Sequence, residues 1–180
     1  MPHKMEYMIV YHPAFDLYHS VYRMLQILTH FNRNDYVETE RLRIWDFYLL
    51  FPDKISTIKL KSNEKDIKEL IKTFIKKSDN PYELLLDNRK VFERIKPYQL
   101  GALKCLASYG IIDKDYLNTN RITIISKEIL STYSSKFEAL SSKENNAISL
   151  LTSHFYLMSL YGEGGLKDRT QLLESKYDAQ

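Results

Sequence analysis

The stretch Glu40-Arg-Leu-Arg-Ile-Trp-Asp-Phe-Tyr-Leu-Leu-Phe-Pro52 sets three charges, Arg41, Arg43 and Asp46, in a run that is otherwise almost wholly apolar. On a helix, Leu42, Ile44, Trp45, Phe47, Tyr48, Leu49 and Phe51 leave no polar face, and a helix that is apolar all round has to be buried. The stretch therefore predicts a central helix, ended by Pro52 because proline cannot continue the hydrogen-bond ladder. Its charges then need partners. Arg43 and Asp46 can pair along one helical face, whereas Arg41 lies near the amino end, where the helix dipole disfavours a cation, and is expected to point at something outside the helix. Two readings of this group stay open. They are satisfied rim charges of a core helix or, with Trp45, a docking surface for another protein.

Working towards the amino terminus, Tyr18, Val21, Tyr22, Leu25, Leu28 and Phe31 keep helical spacing over 15–31, with Asp16 near the start. Residues 8–11 suit a short extended piece, and the polar 32–35 turn the chain into the central helix, so the two helices are expected to run antiparallel. On the other side, Asn63 is the expected cap of a helix over 64–77. Ile67, Leu70, Ile71, Phe74 and Ile75 make one face of it, and Lys65, Lys68, Lys72 and Lys76 the other. A lysine stripe opposite an apolar stripe reads first as a solvated face and second as a non-specific contact to a DNA backbone.

Ser78-Asp-Asn-Pro81 marks a turn, Leu84-Leu-Leu86 an apolar step, and 90–95 a short helix. Pro97 is expected to open a further helix over 98–109, with Gly110 as its left-handed cap. Ile111-Ile-Asp113 and Arg121-Ile-Thr-Ile-Ile125 flank the turn-forming Asn118-Thr-Asn120 and read as a β-hairpin. Helix, glycine and hairpin in that order are the layout of a winged helix. The would-be recognition helix offers only Gln99, Lys104 and Ser108, a poor set for reading base edges, and Lys114 and Arg121 would add at most a weak backbone contact. Ser141-x-x-Glu144 is a capping box for a long helix expected to reach Gly162. The fold class predicted is mainly α with a small β-hairpin (α+β), a winged-helix-like core with additional helices. Residues 1–161 form the domain. Residues 162–180 form a polar C-terminal tail, either packed on the domain or ordered by a partner.

A chain of 180 residues suits one domain. Its net charge of +3 falls short of the balance of a dedicated nucleic-acid binder, while 14 Tyr and 8 Phe favour interfaces that are part wet and part dry. The single cysteine, Cys105, excludes an internal disulfide and reads as a small buried residue in a reducing, cytoplasmic setting. No window reaches the roughly 18 apolar residues of a membrane span, and the amino terminus has no apolar run of signal-peptide length, so no membrane association is expected. His3, His12, His19, His30 and His154 lack zinc-type spacing, and neither a phosphate-binding glycine loop nor a nucleophile elbow is present. No cofactor, metal or catalytic residue is expected.

Three blocks carry a resemblance. They are the 40–52 stretch, Tyr11-His-Pro-Ala-Phe-Asp-Leu-Tyr-His-Ser-Val-Tyr-Arg-Met-Leu25, and Gly164-Gly-Leu-Lys-Asp-Arg-Thr170 followed by Glu174 and Tyr177-Asp178. Together they resemble the middle component of bacterial ABC-three component systems, the small subunit encoded between an ABC ATPase of the chromosome-maintenance type and an effector. The resemblance implies a non-catalytic adaptor that couples an SMC-like ABC ATPase to an effector nuclease in an anti-phage or anti-plasmid defence complex similar to Lamassu. It implies partner-binding roles for Arg41, Arg43, Trp45 and Asp46, and for Gly165, Leu166, Lys167, Arg169 and Thr170. Lys65, Lys68, Lys72 and Lys76 are candidates for DNA contact within the complex. The competing class is a winged-helix DNA-binding regulator using the hairpin and the lysine stripe, which predicts steeply salt-dependent DNA binding by the isolated chain.

Overall fold

Helix α1 (Leu17–His30) leads through the short strand β1 (Val37–Glu38) into α2 (Thr39–Leu50), which runs through the middle of the molecule. The computed structural model describes residues 12–31, 33–75 and 87–173. Every residue from 41 to 49 is buried, the charged ones included. The expected central helix is therefore present, and Phe51 and Pro52 end it in a 3-10 turn, Pro52–Thr57. Around it stand α3 (Lys65–Phe74), α4 (Asn88–Ser108), α5 (Lys114–Asn118), α6 (Lys127–Ser134), α7 (Ser142–Ser153) and α8 (Leu166–Thr170), with strand β2 (Arg121–Ile122) between α5 and α6.

Asp16 opens α1 by accepting the His19 N–H on its carboxylate, and the helix packs against α2, α4, α6 and α7. The core is aromatic at its centre. The Phe31 ring stands 5.8 Å from Trp45 and 5.0 Å from Tyr156, and Phe47 lies 5.9 Å from Phe92. Tyr18, expected as an anchor of α1, is 87% exposed, because Met24, Ile27, Leu28 and Phe31 define a buried face roughly a third of a turn away. The expected cap of α3 also shifts. Glu64 occupies the cap position without a side-chain bond to the helix, and of the apolar face Ile67, Ile71 and Ile75 are buried while Leu70 and Phe74 are exposed.

Pro97 lies inside one continuous helix of 21 residues rather than at the start of a second. The carbonyl deprived of a donor belongs to Glu93, and both residues are solvent-exposed, where the loss of one helical bond costs least. Gly110, at φ +68°, ends α4 as expected. Its N–H donates to Ala107 O and the Ile111 N–H to Leu106 O, the paired bonds of a Schellman cap.

The two segments of the expected hairpin do meet, with the Asp113 N–H donating to Thr123 O and the Ile125 N–H to Ile111 O, but over a shorter ladder than expected. Ile112 and Ile124 meet in a single antiparallel bridge, but Asp113 caps the intervening residues into α5, and Asn120, at φ +60°, swings β2 away to pair with β1. The two-stranded antiparallel sheet pairs Val37 with Ile122 and Glu38 with Arg121. The fold is mainly helical with this small antiparallel sheet, the α+β class expected.

The capping box at Ser141 and Glu144 is present, yet α7 stops at Ser153 and not at Gly162. Phe155–Leu157 forms a 3-10 turn and Met158 is extended, because the carbonyls of Phe155, Tyr156 and Met158 accept from the Arg41 guanidinium instead of from a following helical turn. Cys105 is free and half-buried. The expected pieces at 8–11, 78–81 and 84–86, together with Lys76 and the tail beyond 173, lie outside the described residues. Among the described residues no helix is long and apolar enough to cross a membrane.

Candidate functional site

Four polar side chains meet in the core, Arg23 from α1, Arg43 and Asp46 from α2 and Gln99 from α4. Arg23 donates from Nε to Asp46 Oδ1 at 2.7 Å and from Nη2 to Oδ2 at 3.2 Å, a bidentate grip on a carboxylate with no exposure to water. Gln99 completes the set, donating from Nε2 to Asp46 Oδ2 at 2.9 Å and to the Arg43 carbonyl at 3.0 Å, while its Oε1 accepts from Arg43 Nε at 3.0 Å. Arg43 and Asp46 are thus joined through Gln99 rather than to each other, as their spacing alone suggests. Asp46 is already held by Arg23, and the Arg43 guanidinium lies 4.6 Å above the Phe92 ring. Burial draws the Arg43 pKa below the ordinary guanidinium range, with Glu93, Glu40 and Asp46 acting in the opposite direction. Its Nη2 has no hydrogen-bond partner among the described residues, so the aromatic face is its principal compensation.

Arg41 does point outside its helix, and the target is in the same chain. Besides its three carbonyl acceptors, at 3.0, 3.3 and 3.0 Å, it donates from Nε to Glu38 Oε2 at 2.7 Å. Trp45 is fully buried against Phe31 and Tyr156.

The segment 162–173 folds back onto the domain as a strap. Leu166 N–H donates to Ser159 O and Lys167 N–H to Leu160 O, and Leu166 and Leu172 are fully buried. Lys167 Nζ reaches Glu40 Oε2 at 2.9 Å and stands over the Tyr161 ring at 4.9 Å. Arg169 Nη1 donates to Glu64 at 2.7 and 3.0 Å, its Nε donates to Gly164 O, and its backbone carbonyl accepts from Lys59 N–H at 3.1 Å. Thr170 Oγ1 donates weakly to Lys167 O at 3.4 Å. Gly165 is required by space. A Cβ there would stand 2.4 Å from Tyr161 O.

Burial opposes the charge on Glu64, but the Arg169 guanidinium and the Lys61 N–H outweigh it and hold its pKa below the usual carboxylate range. This tie joins residues 105 apart in the chain and fixes the loop before α3. The lysines of α3 line the neighbouring surface. Lys65, Lys68 and Lys72 are exposed, as a solvated face requires.

The candidate partner-binding residues therefore fall into two groups. Arg43, Trp45 and Asp46 lie in the centre of the core. Arg41 and the 165–170 block tie the C-terminal strap and the 155–158 turn to α2 and to the loop before α3. All are buried in this chain, Gly165 included. What they hold up is exposed, notably Leu157 at 74%. Arg23, Gln99, Glu38, Glu40 and Glu64 complete these networks, and the sequence did not mark them as partners, because apart from Glu38, three residues from Arg41, each reaches a residue distant in the chain. Gln99, offered as part of a recognition helix, is fully buried and cannot reach a groove of DNA. Arg121 instead stacks on Tyr36 at 4.8 Å. No group of three or more His, Cys, Asp and Glu able to hold a metal occurs among the described residues.

Residues 9–178 match the family model described as ABC-three component (ABC-3C) system Middle Component 5. No curated protein and no solved structure matches the chain.

Proposed function

Because this chain belongs to the Middle Component 5 family of ABC-three component systems, we propose that it is a non-catalytic, cytoplasmic adaptor that couples an SMC-like ABC ATPase to an effector nuclease in a defence complex of the Lamassu kind. The family match over 9–178 is the observation that carries this reading. The arrangement of side chains supports it. An adaptor has to transmit a change in one contact to another, which needs a body that moves as a unit and surfaces whose contacts differ between two states. Arg43 and Asp46 make that body by joining α1, α2 and α4 through one network, and Trp45 packs beside it against Phe31 and Tyr156. Arg41 and the 165–170 strap hold the edges offered to partners, and Lys65, Lys68 and Lys72 lie on one such edge; Lys76 remains a candidate for the same DNA contact. In this reading the ATPase engages foreign DNA, changes its contact with the adaptor, and so releases the effector.

The test is to express the complete system with a tag on this chain, isolate what accompanies it, and challenge the same cells with phage. The reading expects the ATPase and the effector to accompany the tagged chain, and protection to vanish when this chain alone is deleted. Isolation of the chain by itself, with salt-sensitive retention of DNA, would replace the adaptor with the regulator.

A further inference from the structure

Between the 58–60 segment and α3 runs an open groove of about 570 Å³, with Ile58, Leu60, Ile71 and Ile75 along it and Lys68 and Lys72 at its rim. The C-terminal strap fixes one wall. Arg169 accepts from the Lys59 N–H on its backbone carbonyl and binds Glu64 with its guanidinium, so the 58–64 segment stands where the strap sets it. Both rim lysines are exposed, and neither pairs with a carboxylate among the described residues. Among the described residues no acidic side chain lines the groove.

Lys68 and Lys72 stand one helical turn apart beside an aliphatic floor. The complementary ligand has both features in the same register, with aliphatic side chains to fill the groove and carboxylates alongside to meet the ammoniums. Duplex DNA answers only half of this. Its phosphates would meet the lysines, but backbone contact offers nothing apolar to the half-buried Leu60 and the groove beside it. From this match we infer that the groove docks an acidic amphipathic segment of another subunit of the same three-component system. The inference rests on the adaptor reading and assigns it a contact surface. Such docking also gives the strap a purpose, since releasing Arg169 from Glu64 would move the groove wall.

The experiment places the photoreactive residue p-benzoylphenylalanine at the exposed groove position Ser56 in the co-expressed system, and compares it with the same protein carrying Lys68→Glu and Lys72→Glu. Lys104→Glu, on the exposed face of α4, controls for charge alone. The expected result is a cross-link to an Asp/Glu-rich segment of the ATPase or effector, reduced about ten-fold or more by the double reversal and unchanged by the control. An assembled complex whose cross-link falls on DNA, or on a segment without carboxylates, or that tolerates the double reversal, overturns the groove assignment and leaves the adaptor standing. Failure of the wild-type chain to assemble with either subunit overturns the adaptor reading itself.

Discussion

Asp46 is the carboxylate on which the buried charges depend, because Arg23 grips it with two nitrogens and Gln99 donates to the same group. Removing it leaves a buried guanidinium without its counter-charge, which typically costs about 3–5 kcal/mol, whereas an amide keeps a hydrogen-bonding shape. Asp46→Ala is therefore predicted to lower unfolding stability by about that amount in a urea titration, with Asp46→Asn losing less. A loss below about 1 kcal/mol would show that water or rearrangement relieves Arg23. Gly165 makes a steric prediction. With the Tyr161 carbonyl 2.4 Å from where a Cβ would sit, Gly165→Ala should cost about 1–3 kcal/mol and lower the melting temperature, whereas Gly162→Ala meets no neighbour and is disfavoured only by its positive φ. At this scale the sequence said that Arg41, Arg43 and Asp46 needed partners, because a buried helix cannot leave charges unanswered. It did not say which, because Gln99 and Arg23 are separated from them by long stretches of chain and carry no distinguishing pattern.

Among elements, the strap 162–173 makes the sharpest claim. It is short and polar in sequence, yet it is held by Arg169 to Glu64 and by Lys167 to Glu40. Arg169→Ala is expected to free α8, read as faster amide exchange at 166–170 with little change in the exchange of α2. The tie also has a pH signature. Because the Glu64 pKa in the folded chain lies below the usual value, its contribution is fully present above about pH 4.3 and is lost as pH falls through the depressed folded value. The backbone NMR resonances of 166–170 should therefore hold constant from neutral pH to about 5 and shift in acid, and Glu64→Gln should remove that transition. An unchanged acid transition in Glu64→Gln would place its origin elsewhere. Capping signals were legible at this level. Asp16, Gly110 and the Ser141 and Glu144 box all stand where local chemistry demands. The long helix to Gly162 and the break at Pro97 were misjudged for one physical reason. Whether a helix continues depends on what surrounds its carbonyls, which is Arg41 at 155–158 and an exposed surface at Glu93.

Across the whole molecule, the central position of α2 was readable because an all-round apolar helix has one place to go. The pairing of β2 with β1 was not, since it joins segments far apart in the chain and depends on Asn120 turning the backbone through a left-handed conformation. The matching blocks at 11–25, 40–52 and 164–170 converge in the structure as parts of one scaffold: Arg23 comes from the first, Arg41 and Asp46 from the second, Lys167 and Arg169 from the third. Family membership points this scaffold towards partners within a three-component system. The direct test mixes this chain with the purified ATPase and effector of its own system and records native mass spectra of all pairs and of the full set. The account predicts a ternary assembly in which ATPase and effector associate only when this chain is present. An ATPase–effector complex that forms equally well without it, or a chain that joins neither, would contradict the account.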